Sequence, residues 1–548
     1  MQPTLRYYLT RFVVFCAAVC ALSHTGVSYA QAATFAPNTL PVSLQTAIST
    51  ANLNPDNVSI VVMRLPDLSA PMTVPLKPTT VIAYHANTPR TPASTQKLIP
   101  TLIALDTLGK DFMWQTKLYQ HGIVWRGTLY GDIIIQASGD PKLSTEQLSN
   151  LLAQVKAHGI ERITGSVIID NRRFGNVGFD PNAFDGKGLR PYNAMPNALL
   201  LNFGTLTVTL EPFGKTTADT TTIASTPNPA TIEPTTQANI TTDTLKAADI
   251  TGFRVKVSPQ MTGFSAPQTL AAAHAPCKLS KDDWIADLTP TALSFHQDPS
   301  VNCGTQQRWL TYPDPNRLAK QTIHYTWRQQ FPAFSGQLGF VDDITPDPTW
   351  RQRWIMRHTR PKLLAYASSA PLADVIADIN HYSNNVMTEQ VALSLPLYAD
   401  HQAVSDYPKT FDFIARWWQQ HLPDTPPPVM SRASGLCRDC RVTPNSLVSL
   451  LGYAYTHKDF NVYRQSLSIA GETGTMRELK ARDPNHPAIG QAWIKTGTLD
   501  DTIGMAGYVR GQSGQWYAVV GLINQPNVRF NGKAKGVLDT MLRWTAEQ

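Results

Sequence analysis

Three short motifs lie far apart in this chain of 548 residues, and their chemistry has meaning only if they meet: Ser94-Thr95-Gln96-Lys97, Ser383-Asn384-Asn385 and Lys495-Thr496-Gly497. A fold that unites them must store residues 98 to 382 to one side and still deliver Ser383 to Ser94. A chain of this length exceeds what one compact core supports, so two to four domains are expected.

Taken singly the motifs say little. Average composition yields about two chance Ser-x-x-Lys matches in a chain this long, and on the order of 0.1 for Lys-Thr-Gly. Their order and local context carry the argument. Ser94 follows Pro92-Ala93 and precedes a run in which Leu98, Leu102, Leu105 and Leu108 recur at helical spacing before Gly109. Pro100 cannot donate to the carbonyl of Gln96 and predicts a distorted first turn around the serine. On a helix, positions three apart share a face, so Lys97 can set its amine beside the Ser94 hydroxyl. A neutral amine takes the hydroxyl proton if burial and nearby Lys495 lower its pKa. The helix N-terminus adds a positive field. Ser383 offers a hydroxyl to relay a proton to a leaving amine, and Asn385 can hold Lys97 and a substrate amide. Lys495, Thr496 and Thr498, in a strand edge with Gly497, can bind a terminal carboxylate. The backbone N–H groups of Ser94 and Thr498 would form an oxyanion hole.

The N-terminus reads as a processing signal: Arg6 and Arg11, an apolar run from Phe12 to Leu22, then small residues around Ser28-Tyr29-Ala30. The apolar run is short for a bilayer span, so export and cleavage after Ala30 are expected, with Ala32 the second candidate, giving a periplasmic protein without an integral membrane anchor. Loose association with membrane or wall stays open. Removing residues 1–30 takes the net charge from +7 to +5. No arginine-rich or aromatic-interleaved tract accompanies that charge, which argues against nucleic acid as a partner.

Two of the six cysteines leave with the signal. Cys277, Cys303, Cys437 and Cys440 allow three pairings in an oxidising compartment, and nearness in sequence favours Cys277 with Cys303 and Cys437 with Cys440. Cys437-Arg438-Asp439-Cys440 has a redox-motif spacing but lacks a thioredoxin-like βαβ context. No zinc spacing is present, and neither a metal nor a cofactor is expected.

Along the chain, Asn57 to Leu65, Leu129 to Gln136, Gly165 to Asp170, Thr205 to Leu210 and Thr251 to Val257 read as strands, and Thr145 to His158 as a helix. Thr216 to Thr244, crowded with Thr, Pro and Asn, reads as loops with short strands. Tyr325 to Phe331 and Gly336 to Phe340 lead back toward the first domain. Helices are expected at Leu372 to Ile379, Asn384 to Leu395 and Thr410 to Gln420. Strands follow at Gln491 to Thr496, Gly504 to Val509 and Trp516 to Ile523. An amphipathic helix from Gly536 to Glu547 then covers the sheet.

The motif set is that of β-lactamases and penicillin-binding proteins. Over nearly all of the mature chain the sequence resembles the peptidase S13 family of D-alanyl-D-alanine carboxypeptidase/endopeptidases, the class C low-molecular-mass penicillin-binding proteins. The resemblance runs through PASTQKL at 92–98, LYGDIIIQASGDPKLS at 129–144, GSVIIDNRRF at 165–174 and PYNAMPNALLLNFG at 191–204. It continues through HYSNNVMTEQV at 381–391, SGLCRDCRVTP at 434–444, LSIAGETGTM at 467–476 and KTGTLDDTIGMAGYV at 495–509. It implies an α/β (α+β) fold: a β-lactamase/transpeptidase-like domain with a mixed antiparallel sheet flanked by helices, interrupted by two nested smaller β-rich or α+β domains. The implied boundaries are 31–112 with 341–548 for the catalytic domain, 113–204 with 305–340 for the first insertion, and 205–304 for the second. It also implies peptidoglycan stem peptides and cross-links as substrates, β-lactams as covalent inhibitors, and Ser94, Lys97 and Ser383 as the catalytic set. Family members commonly read Asp-Gly-Ser-Gly-Leu-Ser-Arg where this chain has Arg432-Ala433-Ser434-Gly435-Leu436-Cys437-Arg438, so the acidic residue is absent there. A β-lactamase would need an added deacylating carboxylate or activated tyrosine. A low-turnover wall-binding protein would not need the catalytic set intact.

Overall fold

The computed structural model describes residues 34–68, 78–214, 249–277, 287–345 and 350–548. The expected signal segment and the threonine-rich stretch at 216–244 lie outside these residues. Among the described residues no helix is long and apolar enough to cross a membrane.

Two chain ends meet in the first sheet. Its six strands run in the order Ser468–Ile469, Ala492–Leu499, Thr502–Arg510, Trp516–Asn524, Val58–Arg64 and Thr79–Tyr84, every neighbouring pair antiparallel. Side chains alternate across a strand, so one strand feeds two cores. Val58, Ile60 and Val62 join one cluster with the helices Val42–Thr50 and Ala534–Ala546. Val61 and Met63 join the opposite cluster, under the helices Leu98–Leu108, Leu372–Tyr382, Tyr407–His421 and Pro444–Thr456. The sheet is thus covered on both faces, and the C-terminal helix packs against it as its apolar stripe predicts.

Pro100 finds a place that spares the helix. Ala93–Lys97 forms a 3-10 turn, and the α-helix begins only at Leu98. The proline therefore falls in the first α-helical turn, where its missing N–H has no intrahelical acceptor to lose.

A second sheet holds Leu338–Phe340, Val167–Asp170, Thr128–Gln136, Gln115–Trp125 and Lys362–Ser368 in that order. It packs on the helices Thr145–Ala157 and Pro315–Gln330 through Leu148, Leu152, Ile323 and Trp327. A third sheet is antiparallel, in the order Gln306–Thr311, Thr205–Gly214, Ile250–Ser258 and Thr269–Ala271.

These registers correct two of the expected boundaries. Lys362–Ser368 pairs with residues 115–120, so the chain leaves the second sheet after Ser368 and not at 340. Gln306–Thr311 pairs with residues 205–210, so the third sheet keeps the chain past 304. In both places a returning edge strand, bound by backbone hydrogen bonds, closes the inserted unit.

Cys277 and Cys303 form a disulfide across a sequence separation of 26 residues beside the third sheet. Cys437 and Cys440 form a second one. A loop of the first size should restrict the unfolded chain by about 3 kcal/mol. Cys303→Ser, or reduction, should lower the denaturation free energy of the inserted unit by roughly that amount. Non-reducing peptide mapping that recovers both cysteines as free thiols would overturn the pairing.

Candidate active site

The turn carrying Ser94 is compressed from two sides. Ala93 takes a left-handed φ of 48°. A Cβ on Gly435 would lie 2.0 Å from the Ala93 carbonyl oxygen, and one on Gly497 would lie 2.9 Å from the Ser94 nitrogen. Only glycine allows the loop at 434–436 and the strand Ala492–Leu499 to approach the nucleophile this closely. The strand's backbone beside that of Ser94 is the juxtaposition an oxyanion hole requires. Ser94 remains half-buried while Lys97 and Lys495 are 0 % exposed, so solvent reaches the serine but neither lysine.

Lys97 Nζ lies 2.9 Å from Ser94 Oγ, 2.7 Å from Asn385 Oδ1 and 2.6 Å from the Ser434 carbonyl oxygen. Burial first, and the charge of Lys495 second, push the Lys97 pKa well below the usual lysine range, while Glu389 acts in the opposite sense. In the neutral amine, Asn385 and Ser434 can take the two N–H hydrogens. The lone pair then points at the Ser94 hydroxyl.

Ser383 ends the helix Leu372–Tyr382 in a left-handed conformation, φ 57°. Asn384 next to it caps the helix Asn385–Tyr398 by accepting from the Met387 N–H at 3.0 Å. The elbow between the two helices presents Ser383 Oγ 3.0 Å from Lys495 Nζ, which also donates to the Thr496 carbonyl at 2.9 Å. Burial pushes the Lys495 pKa down to about 7. The Thr496 hydroxyl donates to Thr475 Oγ1 at 2.7 Å, and Thr498 is exposed. Ser94, Lys97 and Asn385 thus share one set of hydrogen bonds and Ser383 and Lys495 another. Gly497 brings the strand against the Ser94 turn, and Thr496 and Thr498 stand on that same strand.

Several participants leave no mark in the motifs. Asn385 donates from its amide to the Tyr192 carbonyl at 2.9 Å, so one of its two amide hydrogens is spent on the inserted segment and not on a substrate. Glu389 is buried, and its two oxygens accept from the N–H groups of Ala433 and Ser434 at 3.0 and 2.9 Å. The acid absent from the loop is thus matched by one beneath it, and the loop's next carbonyl holds Lys97. Glu389 stands four residues after Asn385 on one helix face, a spacing that could have marked it. Arg432, in the place of the family's acid, lies over the ring of Phe179 at 3.9 Å, and its carbonyl accepts from Gln96 Nε2.

A cavity of about 270 Å³ opens beside the catalytic locus, walled by Phe179, Phe184 and Tyr192 on one side and by Arg432, Ser434 and Arg438 on the other. It reaches the locus through Asn385 and Ser434. Among the described residues, the grouping with metal-donor atoms close together is Cys437, Asp439 and Cys440. Its two sulfurs are bonded to each other and so lack the thiolate charge a metal needs.

A serine with a buried lysine at its side, set between a helical layer and an antiparallel sheet, defines a serine acyltransferase of the β-lactamase/transpeptidase-like class. The pattern of the D-Ala-D-Ala carboxypeptidase 3 (S13) family matches residues 69–257 and 300–548, and the chain belongs to that family. A D-alanyl-D-alanine carboxypeptidase of Actinomadura sp. (strain R39) is 24% identical over 431 residues, covering 77% of this chain and 71% of that protein. D-alanyl-D-alanine carboxypeptidase DacB of Haemophilus influenzae is 36% identical over 91 residues, a match spanning 17% of this chain and 19% of that protein. The crystal structure of penicillin binding protein 4 (dacB) from Haemophilus influenzae superposes with a TM-score of 0.67 at 18% identity, covering 92% of this chain and 100% of that one. The same protein complexed with a β-lactam gives a TM-score of 0.63.

Glu389→Gln offers a direct check on the support given to Lys97. Removing the negative charge deletes a contribution that raises the Lys97 pKa, so the amine becomes neutral at lower pH. The acidic limb of penicillin acylation should move to lower pH, and the loss of one charge-assisted hydrogen bond to the loop should cost about 2 kcal/mol of stability. An acidic limb that stays in place would show that Glu389 holds the loop without influencing the base.

Proposed function

We propose that this protein is a serine-type D,D-peptidase of the periplasm that cleaves peptidoglycan stem peptides and cross-links through an acyl-enzyme on Ser94, and that penicillin acylates the same oxygen. The placement of Lys97 Nζ, 2.9 Å from Ser94 Oγ with two further acceptors fixing its orientation, carries the reading.

In this mechanism neutral Lys97 accepts the Ser94 proton as the oxygen attacks the carbonyl of the penultimate D-Ala. Backbone N–H groups of Ser94 and Thr498 receive the developing oxyanion. Protonated Lys495, with Thr496 and Thr498, holds the terminal carboxylate. The departing amine takes the hydroxyl proton of Ser383, which is in contact with Lys495, and Ser383 takes in turn the proton held by Lys97. The amine of Lys97, neutral again, then accepts a proton from the water that attacks the acyl group and returns it to Ser94 as the ester bond breaks. The apolar run and small residues before Ala30 support export, and the paired cysteines fit an oxidising compartment.

Ser94→Ala should abolish both peptidase turnover and covalent penicillin labelling in a folded protein, and labelling that survives would sink the assignment. Lys97→Ala should fail chiefly in acylation. Lys495→Ala should lower kcat/KM for peptides ending in free D-Ala-D-Ala more than for their amidated counterparts, since only the former present a carboxylate. An equal fall for both would mean that Lys495 tunes the base and does not read the substrate. Because burial pushes the Lys495 pKa down to about 7, kcat/KM for the free-carboxylate peptide should decline above that pH more steeply than for the amide.

A further inference from the structure

The second sheet is covered unequally. Strand alternation turns Leu118, Leu129, Ile133 and Ile135 to the packed face, where each is fully buried. On the other face Ile123 stands opposite Tyr130, and Leu363 and Tyr366 follow on the edge strand, all of them exposed. Trp125 ends that face at the hairpin tip, 58 % exposed.

The helix Trp350–His358 lies against this hairpin, and the carbonyl of Thr359 just after it is 3.2 Å from His121 Nε2. It leaves its two large rings outside: Trp350 and Trp354, one turn apart, are 69 % and 53 % exposed. Residues 350 to 362 also hold Arg351, Arg353, Arg357, Arg360 and Lys362 with no acid between them, and all five are exposed. Among the described residues none of these five pairs with a carboxylate. Large exposed apolar side chains gathered on adjoining elements in this way mark an interaction site.

We propose that this tryptophan- and arginine-bearing surface docks the protein on an anionic lipid bilayer. Indole rings favour the headgroup boundary, where one edge is apolar and the other wet. The guanidinium groups beside them, with no carboxylate partner among the described residues, meet the negative surface potential, and Arg351 lies over the Trp350 ring at 5.5 Å. Ile123 and Leu363 gain from an apolar phase and offer nothing to a sugar ring, which favours lipid over a glycan strand. The surface is built from a helix and a hairpin tip and contains no residue of the catalytic locus, so docking and catalysis are separable.

The test is co-sedimentation of the full mature chain with phosphatidylcholine vesicles, with and without phosphatidylglycerol. Binding should appear with the anionic lipid and weaken with salt. Replacing Arg351, Arg353 and Arg357 together by Gln should lower the partition coefficient on the order of a hundredfold, at about fivefold per cation. Trp350→Ser with Trp354→Ser should remove any vesicle-induced blue shift of indole fluorescence that those rings produce. Penicillin acylation should be unchanged in both variants. No binding to anionic vesicles, equal binding to neutral ones, or wild-type binding by the arginine variant would each overturn the proposal. Sedimentation with isolated peptidoglycan in place of vesicles, lost in the same variants, would overturn it in favour of the wall.

Discussion

Two lysine side chains removed from water at one point set the terms for the rest of this molecule. Taking an ammonium group out of solvent costs several kcal/mol, and the cost falls only if its N–H groups meet well-placed acceptors. For Lys97 those acceptors come from the nucleophile turn, the helix Asn385–Tyr398 and the loop at 434. For Lys495 they come from the elbow at Ser383 and its own strand. What desolvation leaves uncompensated appears as chemistry: both amines hold their protons less tightly than a surface lysine. The fold stays stable because many segments share the cost.

The helix Asn385–Tyr398 is where those segments are tied together. Its residues from Val386 to Leu397 are all buried. Met387, Val391 and Leu395 belong to the core beneath the first sheet, while Leu393 and Leu397 belong to the core of the inserted sheet. A helix buried on every side is enclosed on every side, and its polar residues Thr388, Glu389, Gln390 and Ser394 are each hydrogen-bonded within that enclosure. The same helix carries Asn385 and Glu389 toward the site, and Tyr192 of the insertion holds Asn385 in turn. The inserted segment thus helps to orient Lys97 through Asn385.

Legibility in the sequence followed the kind of interaction involved. Ser94, Lys97, Ser383, Asn385 and Lys495 were readable because each acts through its side chain in a motif with fixed spacing. Val58–Arg64 and the three long strands near the C-terminus were readable from apolar runs and alternation. The Ser434 and Tyr192 carbonyls were not, since a backbone acceptor is the same for every residue type. The spacing of Glu389 from Asn385 puts it on the site's face of the helix, but nothing in the sequence says which N–H groups it meets. The end of the insertion was misplaced because Lys362–Ser368 sits at a sheet edge with mixed exposure, which weakens its alternation.

The exchange of an acidic residue for Arg432 shows how such a site tolerates change at its rim. The backbone of residues 432 to 434 is held by Gln96 from one side and by Glu389 from below, both through main-chain groups. Those bonds do not depend on which side chain stands at 432. The guanidinium lies over the rings of Phe179 at 3.9 Å and Tyr407 at 5.0 Å, and a further cation–π contact sets Arg438 over Phe184 at 5.0 Å. Two arginines thereby clasp the inserted segment against the loop, across the cavity beside the site. What the substitution alters is the charge facing that cavity, while the carbonyl of Ser434 and its hold on Lys97 are preserved. Lys97 therefore keeps its hydrogen-bond partners whichever side chain stands at 432, and the recognition of whatever fills the cavity has no such independence.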